Sequence, residues 1–497
     1  MKNLFILRVA RLSVLFLLFL ILFSCIQDPA LWKVTSEKQV ITDFVASNPD
    51  KYSEFNKLLV SANLTDLLKV RGPYTIFLPT NEAMTAYYKE KGISSYTDLT
   101  VQDQKELACN HLIVNSEIQT GDILLGALRD TNAIGDYLVT EFSGSDIIMN
   151  KHAKITDRDI QCANGYVHQI NQVIEPVKAN IYDMIASNPS YSLFSQGLKR
   201  TGLSDTLQTV SFLYGKKNAR TRFTLLAVPD TTFNRYGIHT IDDLVNHFTN
   251  KPDSVTYLNN RFYRYMEYHC MANTYYLSDL TLGTKLYPIL SFDNNISITL
   301  DTDYKLNLNK VTKKYTGFII ESSNIPAKNG ALHTVNNLLP VTEPDPVTIT
   351  FDTTDYLEFK QGDFYGKYYM KWHTWEGNFT KIKFEGDYLQ YYYKNFNTGK
   401  LLNWDCLNMN GFFWCEITTP KIMKGQYKIT SNLWSNNIDY DVYVDGVKTA
   451  NIKRSDSAES TSWGVLDWKK TEEHKIKVVN TTWGMLFWDT VIFTPIN

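Results

Sequence analysis

The sequence predicts a multidomain chain: two consecutive α/β modules followed by an all-β jelly-roll sandwich. Three observations predict it. The phrase NGYVHQINQVIEP, Asn164 to Pro176, returns as NGALHTVNNLLPV, Asn329 to Val341. Three further phrases recur in the same order ahead of each copy. Beyond residues 342–346 the pattern turns to short alternating strands, and nine of the ten Trp residues lie there. A chain of 497 residues has room for about three domains.

The recurring phrases mark the elements of each module. Val45-Ala46-Ser47-Asn48-Pro49 returns as Ile185-Ala186-Ser187-Asn188-Pro189, and Tyr74-Thr75-Ile76-Phe77-Leu78-Pro79 returns around Phe223 to Pro229. Asn110-His111-Leu112-Ile113 has its counterpart in Tyr268-His269-Cys270-Met271. The spacing between equivalent residues grows along the repeat, so loops lengthen while the element order is kept. Apolar residues at helical spacing predict helices over Ser36–Val45 and Tyr52–Leu68. Thr75–Leu78 reads as a short strand that stops at Pro79, and Thr80-Asn81-Glu82 as a helix start. Leu138–Phe142 and Ile147–Met149 read as strands. Val167–Ile174 alternates as a closing strand, with Gly165 supplying the turn before it.

These phrases resemble the fasciclin-like domain, over residues 36–176 and again over 177–341. The resemblance implies compact α/β wedges built around a β-sheet. Two departures concern loops: Asn110 stands where Tyr is common, and the second module is one residue shorter before Phe233. His168 and His333 occupy equivalent positions. No matching Ser, Cys or carboxylate stands beside both, so each imidazole is expected to bond within its own module.

The Pro and acid content of residues 342–346 predicts a stiff, solvated linker. Residues 347–497 then read as strands at sandwich-like spacing, among them Val347–Phe351, Tyr365–Trp372, Thr380–Phe384, Tyr388–Tyr393, Phe412–Ile417, Gln426–Thr430, Tyr440–Val444 and Lys475–Val479. Gly425 to Ile429, Asp441 to Gly446 and Phe487 to Phe493 resemble galactose-binding-like, carbohydrate-binding-module-like sandwiches. That resemblance implies a glycan ligand.

Sugars stack on aromatic faces while Asn and Asp pair with hydroxyls. Strand parity sets Tyr427, Ile429, Ser431 and Leu433 inward and puts Trp434 on the polar side, near Asn436 and Asp439. Trp463 and Trp483 lie in Thr/Gly phrases that read as loops. Trp434, Trp463, Trp483, Asn436 and Asp439 are therefore the candidate glycan-binding residues. Loop Trp residues also plug sandwich ends or line protein interfaces. Trp488, in a strand apolar on both faces, reads as core.

No catalytic residues, cofactor or metal ligands emerge. Gly-x-Ser-x-Gly, His-Glu-x-x-His and phosphate-loop motifs are absent, and Glu376, Glu385 and Asp387 single out no carboxylate pair. The net charge of −2 gives no basic footprint for nucleic acid. Cys406 and Cys415 read either as a pair facing across a hairpin or as small buried apolar residues.

The first residues read as a processing signal. Lys2, Arg8 and Arg11 precede the apolar run Leu12–Phe23, shorter than the roughly 20 residues needed to cross a bilayer. Leu22-Phe23-Ser24-Cys25 resembles a bacterial lipobox, which implies a signal peptide over 1–24, lipidation of Cys25 and a tether over 25–35. The combination looks like an accessory surface lipoprotein of the Bacteroidetes. It implies an anchored, outward-facing, non-enzymatic outer-membrane protein that captures glycan beside a SusC/SusD-type TonB-dependent importer. Adhesion or assembly through the fasciclin-like modules is the alternative, and a hydrolase with an unrecognised site the next. Cys25→Ala is expected to move the protein from the membrane to the soluble fraction, because acyl chains supply the attachment. Retention of palmitate label by that variant would contradict this reading.

Overall fold

The computed structural model describes residues 38–70, 72–214, 217–356, 359, 369–372, 379–393, 401–435, 438–455 and 461–496. The expected signal peptide, Cys25 and the tether lie outside them. In the first module, helices Ile41–Ser47, Pro49–Ser61, Thr65–Lys69, Asn81–Lys91 and Val101–Asn110 pack on a seven-stranded sheet. The expected run Tyr52–Leu68 is two helices, because Asn63 at φ 57° breaks it. Thr80 caps the next helix by accepting the Ala83 N–H at 3.2 Å, as its sequence signal predicts.

Toward one edge of this sheet, inside the short strand Leu112–Val114, Tyr74–Pro79 runs parallel to the closing strand Gly165–Ile170. The second module repeats the arrangement, with Phe223–Ala227 parallel to Gly330–Val335. It adds a separate three-stranded sheet of Gly283–Pro288, Asn295–Leu300 and Tyr304–Leu306.

The repeated Asn-Gly-x-x-His phrase is explained residue by residue. Asn164 Oδ1 accepts the Ile41 N–H at 2.9 Å, while its Nδ2 donates to Leu68 O at 2.6 Å and Val70 O at 3.0 Å. Asn329 does the same, accepting from Ile181 N–H at 2.9 Å and donating to Leu207 O at 2.8 Å and Thr209 O at 2.9 Å. The glycines permit the close parallel approach: a Cβ on Gly165 would sit 1.9 Å from Tyr74 O, and one on Gly330 2.1 Å from Phe223 O.

Each closing-strand histidine is buried and fully bonded to main chain. His168 Nε2–H donates to Ile118 O at 2.8 Å, and its Nδ1 accepts from Asp159 N–H at 3.2 Å. His333 donates to Tyr275 O at 2.9 Å and accepts from Asn324 N–H at 3.3 Å. Burial pulls the pKa of His168 down and that of His333 to about 4, so both stay neutral. The expected strand to Ile174 ends at Ile170. The chain then peels away so that Ile174 N–H reaches His111 Nε2 at 2.9 Å.

The modules pack directly on each other. Arg220 donates to Gly135 O at 2.8 Å and Ile134 O at 2.6 Å and pairs with Asp136, which also takes Lys328 at 2.9 Å. Val139, Tyr276 and Ala331 make a small apolar core across this junction.

Residues 349–495 form two antiparallel sheets. One has the strand order Tyr369–Trp372, Tyr388–Tyr393, Asp405–Gly411, Gly484–Pro495, Gly425–Ser435, Thr461–Trp468, with Ile349–Asp352 also on Gly484–Pro495. The other orders Ile382–Glu385, Trp414–Ile422, Glu472–Asn480, Ile438–Val444, Val447–Ser455. A single apolar cluster between them includes Tyr427, Ile429 and Leu433, as parity predicts, and Trp488, expected as core from its apolar strand. Cys406 and Cys415 do not face each other across a hairpin: they are buried free thiols on strands of different sheets.

The 342–346 segment, expected as a solvated spacer, is tied on both sides. Thr342 O accepts from Tyr268 OH at 3.2 Å and Asn294 Nδ2 at 3.1 Å, and Glu343 pairs with Lys424 at 2.7 Å.

His168→Ala and His333→Ala are each expected to destabilise the fold by about 1–3 kcal/mol, the usual consequence of orphaning buried main-chain groups. Thermal or urea unfolding measures this; unchanged stability would remove the fold role from these imidazoles.

Candidate functional site

Two constellations in the sandwich carry chemistry. The first lies at one end, where three loops are tied together. The Asn480 N–H donates to Phe413 O at 3.0 Å, its Nδ2 to Gly411 O at 2.6 Å, and its Oδ1 accepts from Thr482 N–H at 2.8 Å. Thr481 N–H donates to Asp439 O at 2.9 Å, and Asp439 N–H donates to Thr482 Oγ1 at 2.8 Å. The loops so fixed present two large aromatic side chains to solvent: Trp483, 63% exposed, and Phe412, 62% exposed.

Acids flank these rings. Asp439 is half-buried and pairs with Lys453 at 3.2 Å. Asp387 is exposed and abuts Gly411, whose φ is +89° and whose Cβ would lie 2.2 Å from Asp387 Oδ2. The arrangement offers apolar ring faces beside hydrogen-bond acceptors on a backbone locked by short bonds. That suits a polyhydroxylated ligand.

The predicted residues divide. Trp483 and Asp439 fall together at this end. Trp434 lies on the strand Gly425–Ser435 opposite Phe487, but its side chain and Asn436 lie outside the described residues. Trp463 is a correction. It is fully buried, packing edge-on against Trp488 at 5.8 Å between ring centres. Its position is a strand with a bulge, not a loop: Ile429 pairs with Gly464 and Thr430 with Ser462, so Trp463 is the extra residue and turns inward.

Phe412 was missed because it was counted into the strand that follows. That strand begins at Trp414, and the Asn410-Gly411 turn signal ahead of it was the available clue. Trp414 has one ring face covered by Lys477 Nζ at 3.9 Å, and its Nε1–H donates to Glu385 at 2.7 Å.

The second constellation is a buried carboxylate trio, Asp352, Asp405 and Asp489. It lies where Ile349–Asp352 and Asp405–Gly411 meet end to end along Gly484–Pro495. Thr354 Oγ1 lies 2.8 Å from both Asp352 Oδ1 and Asp405 Oδ1, bridging the two carboxyl groups with its single hydroxyl; Tyr391 OH donates to Asp405 at 2.9 Å. Asn403 Nδ2 donates to Asp352 at 2.9 Å and Leu402 N–H to Asp489 at 3.1 Å. Burial and the neighbouring carboxylates Asp352 and Asp405 push Asp489 up to about 8. Asp489 is therefore a neutral acid at pH 7. Among the described residues no His, Cys, Asp and Glu cluster is arranged to hold a metal ion.

Two α/β modules carrying a β-sandwich with exposed loop aromatics define a multidomain architecture. The family model "Fasciclin domain" matches residues 50–176 and 189–341, more than half of the chain, and the chain belongs to the fasciclin family. Mouse (Mus musculus) stabilin-2 is 27% identical over 135 residues, covering 27% of this chain and 5% of that protein. The chain thus spans about a twentieth of that relative's length. Among solved structures, the FAS1 domain pair of the insect cell adhesion molecule Fasciclin I aligns at 17% identity and TM-score 0.26, covering 59% of this chain and 96% of that one. The CBM36-1 domain of a multidomain xylanase from a termite hindgut metagenome aligns at 11% identity and TM-score 0.19, covering 30% and 98%.

The trio makes a pH prediction. The folded pKa of Asp489 lies near 8 and the unfolded one near 3.9, so the folded state holds the extra proton between them. Its contribution is full below about pH 4 and is lost as pH rises through 8. Sandwich stability is expected to fall from about pH 4 to about pH 8 and to level off above it, by at most about 1.4 kcal/mol per pH unit for one proton. Asp489→Asn, which keeps an acceptor for Leu402 N–H, is expected to flatten that fall in melting experiments. An unchanged pH profile in the variant would remove Asp489 from this role.

Proposed function

We propose that this chain is a non-enzymatic cell-surface binding protein whose sandwich captures glycan. The pair Trp483 and Phe412 carries this reading: two exposed rings on mutually bonded loops, with Asp387 and Asp439 beside them. Solvent-exposed Trp and Phe are costly surface residues. Locking their loops lowers the ordering entropy that a ligand must overcome.

In this proposal lipidation at Cys25 anchors the chain on the outer membrane and the fasciclin pair holds the sandwich away from it. Glycan is passed to a SusC/SusD-type importer. The sequence motif at Leu22–Cys25 supports the anchor. No helix among the described residues is long and apolar enough to cross a membrane.

A glycan array with the purified chain, followed by isothermal titration, tests the reading. Trp483→Ala and Phe412→Ala are each expected to weaken binding at least about tenfold, as loss of an aromatic anchor does, with melting unchanged. Both side chains are exposed, so the fold does not need them. Full affinity in both variants would place binding elsewhere, and a chain that binds no glycan but retains a protein partner would move the function to adhesion.

A further inference from the structure

The junction between the second module and the sandwich is polar. Among the described residues their apolar clusters share no member, unlike the two fasciclin modules, which bury Val139, Tyr276 and Ala331 between them. The ion pairs beside the junction, Lys424–Glu343 and Lys310–Asp345, are largely exposed and hold little.

One side chain differs. Lys421, on the sandwich strand Trp414–Ile422, extends into the second module. Its Nζ donates to three main-chain carbonyls there: Ile289 O at 3.0 Å, Asn294 O at 2.8 Å, and Ser291 O. Asn295 answers in the other direction, its Nδ2 donating to Lys421 O at 3.3 Å. Ile289, Ser291, Asn294 and Asn295 are all buried. An ammonium group has three donors, and here all three are taken. Burial lowers the Lys421 pKa to about 8 against the pull of Glu267, Asp293 and Glu473, so the group stays charged at neutral pH.

We propose that Lys421 is an interdomain latch: seated among the carbonyls of the 289–295 segment, it fixes the sandwich in one orientation on the fasciclin pair. The carbonyl cage is specific for a compact cation with three diverging donors, and the segment has no other cation from the sandwich to fill it among the described residues. The latch makes the second module and the sandwich turn together, independently of what the sandwich binds.

The test uses the full chain, with amide hydrogen exchange and small-angle scattering on wild type, Lys421→Met and, as a surface control, Lys424→Met. Lys421→Met keeps the aliphatic stem and removes the donors. It is expected to raise exchange across residues 289–295 on the order of tenfold, since exchange follows the population of the open form, and to broaden the scattering distance distribution. Exchange in the strand Gly484–Pro495 and all properties of Lys424→Met are expected to stay at wild-type values. Wild-type exchange and superimposable scattering in a folded Lys421→Met would overturn the latch. So would faster exchange throughout the sandwich, which would make Lys421 a residue of that domain's own stability. If Lys421→Met does not fold, Asn295→Ser, which removes the reciprocal bond, carries the same comparison.

Discussion

The side-chain amide of one asparagine per module holds together parts of the chain that have no other reason to meet. Asn164 joins the start of one helix, the chain just past another and the head of the closing strand. Its acceptor and both of its donors are used, so three main-chain groups, those of Ile41 and Leu68 buried, depend on one residue. The glycine after it lets the closing strand lie parallel and close against Tyr74. The histidine three residues beyond the glycine then bonds to Ile118 in a loop and to Asp159 in the irregular stretch of the neighbouring strand Ala153–Cys162. Every other element of the module is placed relative to that parallel pair.

The same device, a side-chain donor seeking main-chain carbonyls, recurs at both junctions. Arg220 crosses from the second module to the carbonyls of Ile134 and Gly135 in the first. Lys421 crosses from the sandwich to those of Ile289, Ser291 and Asn294. Asn110 of the first module, whose amide donates to Ile174 O, is replaced in the second by Tyr268, whose hydroxyl reaches on to Thr342 in the connecting segment. A departure from the repeat thus serves the attachment of the next domain.

The sandwich divides its aromatic residues by position. Trp488 and Trp463 pack on each other inside, and Trp468 stacks on His474, which is held by Asp445. Trp483 and Phe412 stand outside on loops that Asn480 binds together. An aromatic inside is held by burial, with a bulge turning Trp463 inward. An aromatic outside is presented by a rigid loop, and Asn480, which is itself buried, provides that rigidity.

The sequence by itself determined the two α/β modules, their order and their closing strands, because a repeat of Asn, Gly and His at fixed spacing reflects local backbone requirements. It also determined the two-sheet sandwich and the inward set Tyr427, Ile429, Ser431 and Leu433, since alternation along a regular strand has period two. Tertiary structure alone decided where that alternation slips. The bulge opposite Ile429 and Thr430 buries Trp463, and no local signal marks it. It also decided that Phe412 joins Trp483, that three aspartates from distant strands share one buried space, and that Lys421 leaves its own domain. Each of these depends on which strands lie side by side, and pairing partners far apart in the chain leave no periodic trace in the residues between them.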